Sequence, residues 1–516
     1  MTTAKTSRYG FVFLACLLGF GLFLLAPALV GGKSGFPLDD AWIHQTYARN
    51  LARYGRFEYA PGVTSAGSTA PLWTILLAAG YVLRLPYLFW AYLLGFLSLL
   101  WLVTAVMQVW RAVWPALAGK DWLAGLATAL TWPLLWAAAS GMETLFFVAL
   151  GLQIAALYLR LAGRGRAGVR WLALLGVLSG LLILVRPDGL VLLLLVAAGL
   201  LGLPGEAGAR LKRLLVYGGV AALTLVPYFL FNYLTSGNLW PNTFYAKQTE
   251  YAAVLQQFIG ARVFRLFYFS LGGADTGWRG ISAAHFLLLP GVIYGGWLAW
   301  RRDWQQRRLL ATLPLLWAGG HVMLYAWRLP VTFQYGRYLM AATPVWLVYG
   351  LAGWLKLLFG RPAPGRALWL AQRVAAVTFA LVLLFFLLQG AFAYARDVAI
   401  VEGEMVTVAR WLAENTPEEA LVAAHDIGAI GYFAERPLLD LAGLVSPEII
   451  PLLADEAAVA QYVWQSEADY LVTAPGWPYT AVANDPAVTL LFTTNFPLTQ
   501  AAGLNNMSVY RLKTTR

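Results

Sequence analysis

The sequence predicts a polytopic α-helical membrane protein that ends in a small α/β domain, and three observations indicate this fold class. Of the 516 residues, 60% are hydrophobic and only 12% are charged, whereas soluble domains carry about 25% charged residues. Apolar runs of about 20 residues recur along the chain, which is the length that an α-helix needs to cross a bilayer. After about residue 396 these runs stop, and short β-rich segments follow a helical one, as in an α/β domain.

Charge and cysteine content exclude two other classes of protein. The net charge of +12 does not indicate a nucleic-acid partner, because Lys and Arg lie in short loops between apolar runs. Cys16 is the only cysteine, so a disulfide within the chain and a zinc site built from several cysteines are both excluded. The first apolar run, from about Tyr9 to Val30, is longer than a signal peptide, and we expect an uncleaved first helix.

Eleven membrane-spanning helices are expected within residues 1–396, so the two ends of this part lie on opposite sides of the membrane. They are predicted at 9–31, 87–110, 122–140, 144–162, 171–186, 188–204, 214–235, 284–300, 309–327, 337–357 and 374–395. The basic loops 111–120, 160–170, 210–213, 301–308 and 361–373 then all fall on one side. Since basic loops stay in the cytoplasm, we expect a cytoplasmic N-terminus, with loops 32–70 and 236–283 outside.

The apolar segment 71–85 is the weakest point of this topology. It is short for a crossing, and a crossing there would turn all but the first of the later basic loops outward. We therefore expect it to lie in the outer interface or to form a re-entrant helix. If it crossed, Glu143 would leave the outer face.

Residues 397–516 are expected to form a small α/β domain outside the cytoplasm. Glu402–Glu414 has the spacing of an amphipathic helix. Five β-rich runs follow at 421–424, 437–441, 470–474, 488–493 and 508–512.

The pair His425-Asp426 follows the first of these β-rich runs. Gly428 and Gly431 come next, but their spacing does not match the GxGxxG pattern of dinucleotide-binding loops. We interpret Asp426 as a turn or helix cap rather than as part of a nucleotide site.

The first outer loop contains the adjacent acids Asp39 and Asp40. Either acid is suited to cap a helix that ends at Gly55, since Asp favours the N-terminus of a helix and Gly its C-terminus. Capping accounts for only one of the two acids. Asp40 and His44 are four residues apart and share a helical face, which suggests a carboxylate placed for proton abstraction. His44 is equally well explained as a structural histidine.

Glu143, Arg186 and Asp188 are charged residues close to predicted spans. Glu143 precedes the span 144–162, where the helix dipole alone favours a carboxylate; alternatively, it faces the same outer cavity as Asp40. Arg186 and Asp188 lie between two apolar runs with almost no loop, and charges at such depth are usually paired or functional. We expect either an ion pair that holds a helical hairpin or an anion-binding site.

Two cations and a tyrosine complete the candidate site. Lys247 lies in the second outer loop, and Tyr335 and Arg337 precede or open the tenth predicted span from outside. Such cations can neutralise the phosphate of a bound head group, but they can equally anchor the protein to membrane phospholipids. The candidate substrate-binding residues are Glu143, His44, Arg186, Asp188, Lys247, Tyr335 and Arg337, beside the candidate catalytic residues Asp40 and Asp39.

Five motifs, taken in order, resemble those of the GT-C membrane glycosyltransferases. They are Asp39-Asp40 after the first span, Gly141-Met142-Glu143-Thr144, Arg186-Pro187-Asp188-Gly189, the stretch from Pro241 to Lys247, and Gly336-Arg337-Tyr338. The resemblance covers most of the membrane part. It is closest to the branch that includes protein mannosyltransferases, aminoarabinose transferase relatives and mycobacterial arabinofuranosyltransferases.

The resemblance implies an enzyme that transfers a hexosyl or pentosyl group from a polyprenyl-phosphate carrier to a hydroxyl of a glycan, lipid or protein acceptor outside the cytoplasm. Asp40 or Asp39 would supply the catalytic carboxylate, and membrane lipids would surround the chain. No DxD motif occurs in the first outer loop, so no metal ligand is assigned and the use of a divalent metal as cofactor stays open.

Two other functions share the same carrier lipid. A transporter or flippase for a lipid-linked glycan would place polar residues midway through several spans. Few are found there, and the acids gather at one interface, which favours chemistry. An oligosaccharide ligase or polymerase is not separated from single-sugar transfer by the sequence.

Overall fold

The computed structural model describes residues 2–60, 62–163, 168–275, 280–360, 365–476 and 479–512. The N-terminal part contains helices α1 (Thr2–Leu29), α2 (Asp40–Tyr54), α3 (Pro71–Val82), α4 (Tyr87–Val113), α5 (Asp121–Leu130), α6 (Trp132–Ala139), α7 (Thr144–Gly163), α8 (Val169–Val185), α9 (Leu190–Leu201) and α10 (Ala207–Ser236). A small hairpin of β1 (Glu58–Ala60) and β2 (Val63–Thr64) follows α2. Parts of two predicted basic loops, 164–167 and 361–364, lie outside the described residues.

The second half of the membrane part begins with three shorter helices, α11 (Asn242–Glu250), α12 (Ala252–Leu255) and α13 (Ile259–Ser270). They are followed by α14 (Leu289–Gln306), α15 (Leu313–Arg328), α16 (Phe333–Gly336), α17 (Thr343–Phe359) and α18 (Arg366–Val401). A π-helical turn, Glu402–Val406, joins α18 to α19 (Thr407–Asn415) without an intervening loop. The helix is therefore continuous across residue 396, where the sequence places the end of the membrane part.

Five helices of the described chain are long and apolar enough to cross a membrane, which agrees with a membrane protein. They are Arg8–Leu29, Tyr87–Val113, Thr144–Gly163, Ala207–Ser236 and Arg366–Asn415. Five further predicted spans coincide with α8, α9, α14, α15 and α17, which have 12 to 18 residues. The expected number of eleven crossings stays a prediction.

The span predicted at 122–140 is not one continuous helix. The chain there forms α5 and α6, which are bent by 60° relative to each other. Thr131, between them, has an extended backbone with ψ 110°, and Pro133 occupies the first turn of α6. Proline disfavours helical conformation in the preceding residue and cannot donate a backbone hydrogen bond, so it starts a helix more readily than it continues one.

The segment predicted to lie in the interface forms α3, whose 12 residues are too few to cross a bilayer. It packs against α2, so these two short helices form one unit. The indole N–H of Trp73 on α3 donates to the carbonyl of Gly141 at 2.9 Å. This bond fixes the first loop beside the turn that carries Glu143.

The C-terminal part is a five-stranded mixed sheet with short helices. Its strands are β3 (Val422–Ala424), β4 (Leu438–Asp440), β5 (Tyr470–Thr473), β6 (Thr489–Thr493) and β7 (Ser508–Arg511), and its helices α20 (Glu456–Gln465), α21 (Thr480–Ala483) and α22 (Pro497–Ala501). The strand order is β4-β3-β5-β7-β6. β3 runs parallel to β4 and β5, and β7 runs antiparallel to β5 and β6. All five predicted strands are present, so the expected α/β character is confirmed.

Candidate active site

Asp39, directly before α2, contacts the C-terminal sheet region. Its carboxylate accepts hydrogen bonds from the backbone amides of Gly428, at 2.6 Å, and Ala429, at 2.8 Å. Asp39 is the N-cap residue of α2 by position, but its side chain makes no cap bond to that helix. The interpretation of Asp426 as the cap of its own turn is wrong, because Asp39 supplies that carboxylate. Gly55 ends α2 in the left-handed conformation, with φ 69°, as expected.

The approach between the first loop and the turn after β3 depends on a glycine. A Cβ atom at Gly428 would collide with the backbone oxygen of Asp39. Burial and the neighbouring Asp426 raise the pKa of Asp39 to about 7, against the two amide hydrogen bonds, which lower it. Asp39 is thus a buried connection between two distant parts of the chain.

Asp40 has a different environment from its neighbour. Its carboxylate forms an ion pair with the guanidinium of Arg337, and 36% of its side chain is exposed. Burial raises the pKa of Asp40, but Arg337 and Lys247 lower it more, so that it lies well below its usual value. Asp40 is therefore an ionised, accessible carboxylate between two cations.

Arg337 follows an unusual stretch of backbone. Gln334, Tyr335 and Gly336 have positive φ angles of 50°, 58° and 70°, and non-glycine residues rarely adopt this region. This turn directs Arg337 toward Asp40. Nη2 of Arg337 donates to Asp40 and, at 2.9 Å, to the hydroxyl of Tyr338. Nε and Nη1 are buried and have no hydrogen-bond partner among the described residues.

Lys247 is the second cation of the site. It lies on α11, whose first turn is tied to the first loop because the hydroxyl of Thr243 donates to the carbonyl of Gly67 at 2.6 Å. Tyr338 raises the pKa of Lys247, burial lowers it, and Asp40 raises it further, so the ammonium stays charged. Lys247 forms no ion pair with any residue that the structure describes.

A buried charge network centred on Glu143 and Arg186 lies near Asp40 and Arg337. Glu143 lies 3.3 Å from Nε2 of His44 and 2.8 Å from Nη1 of Arg186. Arg186 in turn contacts Asp188 at 3.2 Å and the hydroxyl of Tyr325 at 2.7 Å. The predicted Arg186–Asp188 pair is present, and Glu143 is drawn into it.

Asp40, Arg337 and Lys247 form one group with the network of His44, Glu143, Arg186 and Asp188, and this group is here called the Asp40 constellation. Burial raises the pKa of Glu143, but His44, Arg186 and Arg337 lower it to about 2. The same Arg337 therefore acts on Glu143 and on Asp40. The structure brings together every predicted site residue except Tyr335.

Tyr335 belongs to another cluster. Its hydroxyl donates to Asp397 at 3.2 Å, and its ring lies against Trp132 and Trp136, with centroids 4.8 and 5.6 Å apart. Trp136 also donates to Asp397, at 3.0 Å. The side chain of Tyr335 thus holds the turn that presents Arg337, rather than joining the Asp40 constellation.

The donor set argues against building a metal ion into this site. No group of three or more His, Cys, Asp and Glu side chains suited to a metal occurs among the described residues. Both oxygens of Asp39 accept backbone amides, and Asp40 is paired with Arg337. The chemistry of the site is therefore derived from cations of the chain itself.

Sequence reasoning missed Asp397 and Glu250, and it named His425 without assigning it to the site. Asp397 supports the turn before Arg337 by accepting hydrogen bonds from Tyr335 and Trp136. Glu250 and His425 approach each other at 3.7 Å. Glu250 lies three residues after Lys247, so its position on the same helical face was the available signal.

Comparison with known proteins bears on the fold. A family model described as a domain of unknown function (DUF8728) matches residues 394–510, which is well under half of the chain. No curated protein sequence matches the chain.

Three solved structures are similar over most of the chain. ArnT from Cupriavidus metallidurans in the apo state has a TM-score of 0.61 and 16% identity, with 98% of each chain covered. The same protein bound to undecaprenyl phosphate has a TM-score of 0.58 and 17% identity, again with 98% of each chain covered. The archaeal oligosaccharyltransferase AglB from Archaeoglobus fulgidus, in complex with an inhibitory peptide and a dolichol-phosphate, has a TM-score of 0.62 and 12% identity. The match covers 91% of this chain and 70% of AglB.

These likenesses define the class of the molecule by its fold. The chain is a membrane protein with the GT-C fold, and the resemblance predicted from the five motifs is confirmed at that level. At identities of 12% to 17% the likeness concerns architecture, and the activity must be argued from the site.

Proposed function

We propose that this protein is a glycosyltransferase that moves a sugar from a polyprenyl-phosphate carrier to a hydroxyl group of an acceptor outside the cytoplasm. The observation that carries the proposal is the ionised carboxylate of Asp40 beside Arg337, whose Nε and Nη1 are buried and find no partner among the described residues. Buried donors without partners are costly, and an anionic ligand would satisfy them.

The proposed ligand of these donors is the phosphate of the carrier lipid. A guanidinium can bind a phosphate through two parallel hydrogen bonds, and the ammonium of Lys247 adds a second charge. Both cations would stabilise the negative charge that develops as the phosphate departs. The bound lipids of the two similar proteins, undecaprenyl phosphate in ArnT and dolichol-phosphate in AglB, support a polyprenyl phosphate.

In the proposed reaction, the acceptor oxygen attacks the anomeric carbon of the sugar while the bond from that carbon to the phosphate oxygen breaks. The acceptor proton passes to the carboxylate of Asp40, and the polyprenyl phosphate leaves as an anion. A single displacement of this kind inverts the anomeric configuration. Asp39 takes no proton in this scheme, because both of its oxygens hold backbone amides.

The proposal includes the topology inferred from the loop charges. With a cytoplasmic N-terminus and eleven crossings, the Asp40 constellation and the domain 397–516 lie outside the cytoplasm. A nucleotide sugar is scarce there, which favours a lipid-linked donor. The mass of the product formed in proteoliposomes identifies the transferred group as a hexose or a pentose. It also identifies the acceptor as a glycan, a lipid or a protein.

The test uses the purified chain in proteoliposomes with a panel of undecaprenyl-phosphate-linked sugars. Release of undecaprenyl phosphate together with a new glycoside, identified by mass, is the expected result. Movement of the intact lipid-linked sugar across the bilayer, without release of undecaprenyl phosphate, would contradict the proposal and indicate a transporter. A product that carries a whole oligosaccharide would indicate a ligase or polymerase.

A further inference from the structure

A second polar cluster lies beside the Asp40 constellation and takes no part in the proposed chemistry. Nδ1 of His425 lies 3.1 Å from Asp426, and Nε2 of His425 lies 3.7 Å from Glu250. The three side chains, here called the His425 cluster, come from two distant parts of the chain. Asp426 and His425 follow β3, and Glu250 ends α11.

The backbone places this cluster against the candidate active site on two sides. Glu250 lies one helical turn after Lys247 on α11. Burial raises the pKa of Glu250, but the hydrogen bond with His425 and the charge of Lys247 lower it below its usual value. Asp426 is followed, two residues later, by Gly428, whose amide binds Asp39. The His425 cluster is therefore connected to the candidate site through Lys247 on one side and through Asp39 on the other.

The His425 cluster is partly open and incompletely satisfied. The side chains of His425 and Glu250 are 27% exposed and that of Asp426 is 18% exposed. Oδ2 of Asp426 is buried and has no hydrogen-bond partner among the described residues. An unpaired buried oxygen is costly, and a hydroxyl donor from a ligand would satisfy it.

The charge of the cluster indicates the chemistry of its ligand. Burial lowers the pKa of His425, but Asp426 and Glu250 raise it to about 10, so two carboxylates and one imidazolium give a net negative charge. This charge disfavours a phosphate, whereas the cations Lys247 and Arg337 favour one. A carboxylate oxygen instead accepts hydrogen bonds from neutral hydroxyl groups.

We propose that the His425 cluster binds the hydroxyl groups of a carbohydrate acceptor and holds that acceptor next to Asp40. The inference rests on the proposed glycosyl transfer, because it divides the site between donor and acceptor. The positive side, with Arg337 and Lys247, receives the phosphate of the donor. The negative side receives a neutral polyol, so the C-terminal domain supplies part of the acceptor site.

The test is direct binding, which needs no turnover. The full chain in lipid nanodiscs is titrated with methyl glycosides of mannose, glucose and arabinose, and binding is followed by saturation-transfer NMR. Wild type is expected to bind at least one of them, and Asp426→Asn and Glu250→Gln are each expected to weaken that binding at least tenfold. Glu467→Gln removes an exposed carboxylate of the same domain and is expected to bind like wild type.

The two variants lie on different elements, so a folding defect in one does not decide the outcome. Wild type that binds none of the glycosides would overturn the inference. Equal affinity in wild type, Asp426→Asn and Glu250→Gln would overturn it as well, because binding would then occur elsewhere. Wild type that binds glycosides through the cluster but never releases undecaprenyl phosphate would contradict the proposed transferase function alone.

Discussion

Replacement of Asp39 by Asn should loosen the turn after β3 without removing the catalytic carboxylate. Asp39 holds the amides of Gly428 and Ala429 with two hydrogen bonds of 2.6 and 2.8 Å, which are charge-assisted when the carboxyl group is ionised. Asn offers one carbonyl oxygen, so its amide group would face one of the two amides with a donor. One bond is lost and one remains.

The size of the effect follows from this loss. A hydrogen bond to a charged group contributes about 1.5–3 kcal/mol. Part of this loss is offset, because burying a neutral Asn costs less free energy than burying a charged Asp. We expect the turn to open more easily by about 2 kcal/mol, which corresponds to roughly 30-fold faster amide exchange, since about 1.4 kcal/mol is a factor of ten. The effect should stay local, because Arg49 still binds the carbonyl of Tyr432 at 2.7 Å and Glu435 at 2.6 Å.

Hydrogen exchange measured by mass spectrometry on peptides that cover residues 427–434 tests this reasoning. Gly428→Ala should produce the same local opening, because its Cβ atom would collide with the backbone of Asp39. Asp40→Asn is the matched control and should leave exchange in this segment unchanged. Unchanged exchange in Asp39→Asn, or equal acceleration in Asp40→Asn, would refute the role assigned to Asp39.

Three further outcomes are expected. Lys247→Met should lower kcat/KM for the lipid-linked sugar by about 10²–10³, as the loss of a charge-stabilising group does. Lys247→Arg should retain most of the wild-type kcat/KM, and steady-state kinetics with varied lipid-linked sugar measure both values. Arg186→Met should lower the free energy of unfolding by about 3–5 kcal/mol, because Glu143 and Asp188 lose their buried cation; an unchanged thermal midpoint would contradict this. The imidazole of His425 should not titrate between pH 6 and 8 by NMR, since its pKa is raised to about 10. The protonated imidazole of His425 stabilises the fold fully below the pKa of an unfolded histidine, about 6.5, and this contribution is lost as the pH rises through about 10. An NMR titration midpoint near pH 6.5 would contradict the interactions assigned to the His425 cluster.

The sequence contained the information for the fold class because hydropathy is a local property. Runs of apolar residues specify membrane helices wherever they lie, and the five β-rich runs of the tail are equally local. The bend between α5 and α6 also had a local signal in Pro133, which the length of the apolar run concealed. The π-helical continuation from α18 to α19 had no such signal, because it depends on packing against the C-terminal domain.

The candidate site was predictable residue by residue but not in its pairings. Asp40 and His44 were placed together by helical spacing, whereas Asp40 and Arg337 are 297 positions apart and meet only in the folded chain. The different roles of Asp39 and Asp40 were likewise unpredictable, since adjacent acids look alike in a sequence. Tyr335 was assigned to the site by proximity to Arg337, but left-handed backbone turns its ring toward Asp397.

The most direct test of the account is the transfer rate of Asp40→Asn in proteoliposomes with an undecaprenyl-phosphate-linked sugar that wild type accepts. Loss of a general base typically costs about 10²–10⁴ in rate, and a loss of that size is expected for Asp40→Asn. Glu467→Gln should keep the wild-type rate, and hydrogen exchange over residues 427–434 should confirm that Asp40→Asn is folded. A folded Asp40→Asn protein that transfers sugar at the wild-type rate would contradict the central claim.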